Sequence, residues 1–281
     1  MQNGVVMVAF GRKYVDQAYL AAASLVRHNP GLDVDLFTDT AMPPGPFSRI
    51  HGLGDVWIRA KVDAMLQSRF DKTLYLDADV QVQADIGDIF TLLDRFDIAA
   101  AHDPHRNSTA GRRMYRETIV NAFPQVNAGV VGFRKSDRMT AFLLEWKREI
   151  QAHGIGRDQP SLRELLWNSD LRLAILPPEY NLWDIYQVDR MRPERHAAPR
   201  ILHNGLFMDL SAPAAGADLL AHYVGKARAY KMGLLLAADQ ALAQRAGRSA
   251  QLPARGQSIK ARRLFLTARL AATLKRLTGH S

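Results

Sequence analysis

The stretch Lys72-Thr-Leu-Tyr-Leu-Asp77-Ala-Asp79-Val80 runs an apolar strand into two aspartates at i and i+2. In an extended chain alternate side chains share a face, so the two carboxylates converge on one object. At the carboxyl end of a strand in an open α/β sheet, that object lies in the crevice where ligands bind. A hard divalent cation bridging to phosphate oxygens suits the pair, because such ions take carboxylate plus substrate oxygen. The triplet alone is not selective, since a second one, Asp33-Val-Asp35, occurs earlier in the chain. Position separates them: 77/79 ends an apolar strand, whereas 33/35 begins one.

The surrounding pattern predicts elements able to hold that pair. Val5–Phe10 is a short apolar run that reads as a buried strand, its charges Arg12 and Lys13 following it rather than preceding it as in a leader peptide. Helical spacing of Val15, Ala18, Tyr19, Ala22, Leu25 and Val26 predicts a helix ending at Asn29-Pro30, and Leu32–Thr38 a second strand. Strand, helix and strand within forty residues make a right-handed βαβ unit, hence a mainly parallel sheet covered by helices. The pattern continues with a helix over 59–69, a strand at Thr73–Leu76, a helix over 86–95 and a strand at Ile98–Ala101. A strand at Val126–Phe133 and a helix over 137–152 follow. After Gly156, Asp158–Trp167 reads as helix, Leu173–Leu176 as strand and Arg200–Leu202 as a short strand. Residues 217–246 read as helix interrupted at Gly225 and Gly233. Trp57, Trp146 and Trp167 fall on apolar faces and are expected in the core.

Composition narrows the function classes. The chain has 281 residues and no cysteine, which excludes a disulfide scaffold, a thiol nucleophile and a Cys-ligated metal. Its formal charge of +9 is unevenly placed. All 28 acidic residues lie at or before Asp239 and 28 basic residues share that stretch, so the remaining nine basic residues carry the whole excess. The body is therefore neutral, unlike a nucleic-acid binder, and nucleic acid is not an expected partner. The longest stretch free of Asp, Glu, Lys and Arg, 118–133, is too short and too polar for a spanning helix.

Further blocks, in order, carry a resemblance. Arg59-Ala-Lys61 precedes Phe70-Asp-Lys-Thr-Leu-Tyr-Leu-Asp-Ala-Asp-Val; then come Ala99-Ala-Ala-His-Asp103, Val126-Asn127-Ala-Gly-Val, Asp158-Gln159-Pro-Ser-Leu and Leu176-Pro-Pro-Glu-Tyr-Asn181. This ordered set resembles the family eight glycosyltransferases and related nucleotide-diphospho-sugar transferases, over about residues 4–230. The resemblance implies a GT-A-type, Rossmann-like α/β fold: a mixed, mainly parallel sheet flanked by helices, spanning 1–240, with a basic helical extension over 241–281. It implies a hexosyltransferase that moves a sugar from a nucleotide-diphospho-sugar, such as a UDP-sugar, to a glycan or glycolipid acceptor with retention. It also implies Mn²⁺ or Mg²⁺ held by Asp77, Asp79 and a later histidine.

Two histidines compete for that place. His222-Tyr-Val-Gly225-Lys226-Ala-Arg228-Ala-Tyr230 is similar to the family's His-x-x-Gly-x-x-Lys-Pro-Trp segment, without its proline, and this similarity favours His222. His203 ends the strand Arg-Ile-Leu, the commoner setting for a ligand. Donor-binding positions implied by the resemblance are Ala9, Phe10, Lys61, Asp77, Ala78, Gly225, Lys226 and Arg228. Asp103, Asn127, Asp158 and Gln159 are the groups implied to orient the sugar, and Asp158 also fits a helix N-cap. Trp183 is a candidate floor for an acceptor site. The other histidines, His51, His102 and His105 among them, read as surface.

Lys260–Leu277 reads as a helix with Leu266, Leu270, Leu274 and Leu277 on one stripe and Arg262, Arg269 and Arg276 opposite. That composition suits an anionic membrane surface, predicting a cytoplasmic protein peripheral to the inner face of the cell membrane; taken with the resemblance, it implies an enzyme acting on a cell-envelope polysaccharide. Two alternatives use the same residues differently. A haloacid-dehalogenase-like phosphatase would phosphorylate the first aspartate of the 77/79 pair, and a non-catalytic membrane-surface binding protein would account for the tail alone.

Overall fold

The computed structural model describes residues 1–53, 60–154, 156–208 and 218–246. The basic tail helix, Trp57 and Arg59 lie outside the described residues. Two units divide the chain, Met1–Ala237 and Ala238–Ser281.

The elements run β1 (Asn3–Ala9), α1 (Gly11–His28), β2 (Asp33–Thr38), β3 (Arg49–Gly52), α2 (Lys61–Leu66), β4 (Lys72–Leu76) and β5 (Val80–Val82). Then follow α3 (Asp88–Leu92), β6 (Ile98–His102), β7 (Val126–Arg134), α4 (Asp137–His153), α5 (Gln159–Trp167) and β8 (Leu173–Leu176). After two 3₁₀ turns come β9 (Ile201–His203), a third 3₁₀ turn, α6 (Leu219–Val224) and α7 (Lys226–Ala246).

Seven strands form a sheet in the order β3-β2-β1-β4-β7-β6-β8. Neighbours pair in parallel except β7, which runs antiparallel to both β4 and β6. Both faces are covered, which explains why the strands read as continuous apolar runs rather than alternating ones. Val5, Met7 and Ala9 of β1 pack with Ala18, Ala22 and Leu25 of α1 on one face. Val6 and Tyr75 pack with Met65, Trp146 and Leu162 of α2, α4 and α5 on the other. Fully burying a side chain such as Leu25 contributes about 1.5–3 kcal/mol.

Several expectations need correction. Helix α1 starts at Gly11, ahead of the expected Val15, because Gly11 adopts φ +71° and turns the chain directly out of β1. Of the two glycines expected to interrupt the C-terminal helix, only Gly225 does, with φ +85°; α7 continues through Gly233. Trp146 is fully buried, but Trp167 is 45% exposed at the end of α5, its ring tilted against Phe123 with centroids 5.2 Å apart. Strands β3 and β5, each too short to show a pattern, were not anticipated. The latter matters most, because β5 leaves the Asp77/Asp79 turn and pairs antiparallel with β9 in a separate two-stranded ribbon.

Candidate active site

Asp77 follows β4 directly, and its backbone N–H donates to the Gly129 carbonyl at 2.8 Å, so the turn is tied to β7. Asp79 is tied on the other side, its carbonyl accepting from the Asn204 N–H at 3.1 Å. The ribbon register pairs Val80 with His203, which places the imidazole beside the residue preceding Val80. Accordingly, His203 Nε2 lies 3.2 Å from Asp79 Oδ1 and 3.9 Å from Asp77 Oδ2. Among the described residues, Asp77, Asp79 and His203 form a group whose ligand atoms all lie within 4.8 Å of one another.

The partners of these three groups orient them. His203 Nδ1 lies 2.9 Å from Asn181 Oδ1, so Nδ1–H donates there and Nε2 is left to face the carboxylates. Asn181 Nδ2 in turn donates to Asn127 Oδ1 at 3.1 Å, and the Gly129 N–H donates to the same oxygen at 2.9 Å. Such outer hydrogen bonds fix a metal-binding imidazole. On the opposite side Tyr75 donates its hydroxyl to Asp77 Oδ1. Burial, then the Asp77 charge, pushes the Tyr75 phenol well above its usual pKa, so it stays a proton donor. Burial opposes ionisation of Asp79, but the hydrogen bond and charge of His203, with help from Lys61, hold its carboxyl below the usual range.

This donor set, two carboxylates and one imidazole, suits a divalent cation. The cradle is also sterically arranged for these atoms. A Cβ at Gly129 would lie 2.2 Å from His203 Cε1 and 2.6 Å from Asp77 Oδ2, so only glycine lets both side chains approach.

A cavity of about 430 Å³ opens from this group. The structure brings Lys61, Asp103, Asn127, Asp158 and Gln159 into its walls with the three ligand candidates. Lys61, at the start of α2, reaches in with its ammonium 3.1 Å from Asp158, 3.4 Å from Asp77 and 3.2 Å from the Ala128 carbonyl. It is 12% exposed, and so is no solvated helix-surface lysine. Asp158 sits at the N-cap of α5 without making a side-chain capping bond, because its carboxylate turns toward Lys61. Gln159 donates to Asp103 Oδ2 at 2.7 Å, and the His105 N–H to Asp103 Oδ1 at 2.8 Å.

Other expected positions lie elsewhere. His222 is an exposed residue on α6 against Tyr223 and is outside the Asp77–Asp79 group, so geometry favours His203 where motif likeness favoured His222. Arg228 is held in a two-point ion pair with Asp189, at 2.9 and 2.8 Å, and stacks over Tyr186. Gly225 and Lys226 are exposed at the α6–α7 junction. Ala9 ends β1 as a buried residue, Phe10 precedes α1, and Ala78 packs against the core under the turn.

The cavity also uses residues that the sequence pattern did not single out. Arg157 adds a cation beside Asp158, while His105 and Ser108 come from the β6–β7 loop. His105, expected at the surface, is half-exposed yet lines the cavity, edge-on to Trp183 at 6.0 Å. Trp183 also stands edge-on to His203 at 4.9 Å. Tyr75 was legible in principle, since it precedes Asp77 by two and shares its face.

Sheet order, crossover and the carboxylate turn together define a GT-A glycosyltransferase fold. The chain superposes on the glycosyltransferase GlyE of Streptococcus pneumoniae TIGR4 with a TM-score of 0.51 at 20% identity, over 90% of this chain and 66% of that one. For the apo form of GlyE the TM-score is 0.53 at 21% identity, over 84% and 60%. The galactosyltransferase LgtC, in complex with donor and acceptor sugar analogs, gives a TM-score of 0.51 at 14% identity, over 84% of this chain and 96% of that one. The chain thus spans less than two thirds of GlyE, and likeness at these identities establishes the fold alone. No family model and no curated protein sequence matches the chain.

Proposed function

We propose that the protein is a metal-dependent glycosyltransferase that moves a sugar from a nucleotide-diphospho-sugar to a glycan or glycolipid acceptor, with retention of anomeric configuration. The observation that carries this reading is the Asp77–Asp79–His203 group opening directly into a cavity lined by Asp103, Asn127, Asp158 and Gln159. Asp77, Asp79 and His203 would hold Mn²⁺ or Mg²⁺. When bound, such an ion neutralises the charge that develops on the leaving diphosphate. Lys61 and Arg157 are the cations placed in the same cavity to assist. Lys61 bridges Asp77 and Asp158, at 3.4 and 3.1 Å. Asp103 and Gln159 hold each other, so a sugar hydroxyl would meet a pre-oriented pair rather than two mobile side chains. His222, Gly225, Lys226 and Arg228 have no part in this reading of the cavity.

The phosphatase alternative expects a further acidic pair facing Asp77. The side chains in contact with Asp77 are instead a phenol, an imidazole and a lysine, and the acids Asp103 and Asp158 of the same cavity are held by Gln159 and Lys61.

Calorimetric titration of nucleoside diphosphates and nucleotide-sugars, with and without Mn²⁺, tests the proposal. Metal-dependent binding of UDP or GDP that disappears in Asp79→Ala is expected; absence of any nucleotide binding would sink it. No described helix is long and apolar enough to cross a membrane. The proposal places the enzyme on the inner membrane face through the basic tail. Co-sedimentation with anionic liposomes of the full chain, but not of a chain ending at Gly256, is the expected result; equal partitioning removes that part of the reading.

A further inference from the structure

The loop joining β6 to β7 is basic: over residues 103–125 Arg106, Arg112, Arg113 and Arg116 stand against two acids, Asp103 and Glu117. Arg116 is committed elsewhere, at 2.7 Å from Glu164 and 2.9 Å from Glu149. Arg106 and Arg112 are exposed and, among the described residues, have no carboxylate partner. They border a cavity of about 320 Å³ whose other walls include Asn107, Asn121 and Arg163.

Arg163 is the unusual member. It lies on α5, one turn beyond the Asp158-Gln159 pair, and is 3% exposed. Its Nε donates to the Phe123 carbonyl at 2.6 Å, and its Nη2 to those of Ile119 and Val120 at 3.1 and 2.9 Å. Nη1 makes one contact, 3.3 Å to the Met114 sulfur. Of the five guanidinium hydrogens, one on Nη1 is therefore left over and another has only a weak thioether acceptor. Carbonyl oxygens satisfy donors without cancelling charge, and no carboxylate faces Arg163 among the described residues. Burial accordingly works against its charged form. An exposed cation is cheaply solvated, but a buried one beside two others gains strongly from an anion.

Three guanidiniums and two asparagine amides around one cavity, with no acid in its walls among the described residues, match the geometry of a phosphate or carboxylate group. Gly111 lines both this cavity and the one that opens from Asp77, Asp79 and His203. We infer that the Arg106–Arg112–Arg163 pocket is a subsite for an oxyanion, phosphate or carboxylate, carried by the sugar-accepting substrate. The assignment to the acceptor rests on the transferase reading; the anion site itself does not.

The test uses the full chain at low ionic strength, titrated calorimetrically with inorganic phosphate and, separately, with acetate. Wild type is expected to bind at least one of them, and the preferred one identifies the phosphate-bearing or the carboxylate-bearing source. Arg106→Ala and Arg112→Ala, exposed positions whose loss leaves the core untouched, should each weaken that binding roughly tenfold. The same variants should keep metal-dependent nucleoside diphosphate binding. Failure of both anions to bind wild type, or equal binding by wild type and both variants, overturns the site. Arginine-dependent anion binding in a protein that takes no nucleoside diphosphate would instead overturn its assignment to an acceptor.

Discussion

Asp33 and Asp35 open β2 and are closed by Arg69; Asp77 and Asp79 follow the end of β4 and face His203 across a cavity. In the first pair Arg69 Nε lies 2.8 Å from Asp35 and its Nη2 3.0 Å from Asp33. His51 adds a contact to Asp35 at 3.1 Å while stacking on Phe37, and the Ser48 hydroxyl donates to Asp33 at 2.8 Å. Asp35 is 1% exposed, leaving no room for a ligand. In the second pair the neighbouring side chains Lys61 and His203 themselves line the cavity. The same three-residue spacing thus serves as a clasp at one end of the parallel strands and as an open coordination site at the other. Strand direction makes the difference, because only the carboxyl ends of β1 and β4 border the crevice.

The contrast breaks most visibly in catalysis. Asp79→Ala should lower sugar transfer by about 10²–10³-fold, the scale of losing one electrostatic contact to a transition state, without shifting the urea midpoint. Surviving metal-dependent nucleotide binding in this variant would make 77/79 as structural as 33/35. Asp35→Ala should do the reverse. Leaving Arg69 without its buried partner costs about 3 kcal/mol in urea unfolding, while nucleotide binding by the folded protein is unchanged. A loss below about 0.5 kcal/mol, the scale of an ordinary surface substitution, would erase the distinction.

Smaller effects sharpen it. Divalent metal at a hundred times its Kd should raise the stability of wild type by about 2.7 kcal/mol and that of Asp79→Ala not at all, read from thermal shifts with and without chelator. Gly129→Ala, which forces a methyl between His203 and Asp77, should weaken metal binding about 10- to 100-fold. Unchanged affinity there would mean that the imidazole does not ligate. The smallest effect concerns pH. The Ser48 hydrogen bond, then Arg69, holds the Asp33 carboxyl below its usual pKa despite some burial. Because the folded pKa is lower than the unfolded one, this contribution is present above about pH 4 and lost as pH falls below it. Arg69→Gln should therefore flatten the acid side of the stability profile; an unaltered slope would show that the arginine does not govern Asp33.

Much of this was legible in the residues. The apolar runs of β1, β4 and β7 and the helical periods of α1 and α4 are local signals, and so is the i, i+2 convergence of Asp77 with Asp79. The ordered blocks marked Asp103, Asn127, Asp158 and Gln159, which the structure gathers around one cavity. The choice between His203 and His222 was not legible, because it turns on the pairing of β5 with β9, two three-residue strands far apart in the chain. Motif likeness pointed to His222, whereas the ribbon register put His203 beside Asp79. Asp158, marked as a site residue that also fits a helix N-cap, makes no side-chain capping bond, and only the approach of Lys61 from α2 shows where its carboxylate turns.

By itself the sequence determined the βαβ start, the mainly parallel sheet, the carboxylate turn and the separation of a neutral body from a basic tail. These follow from short-range periodicity and from charge, which need no partner element to be read. Tertiary structure alone decided which Asp-x-Asp is a clasp, which histidine faces the other, and that an arginine on α5 is buried beside two loop arginines with no acid lining their cavity among the described residues. Each of those outcomes depends on a non-local approach, where burial changes what a charge costs and which neighbour must answer it.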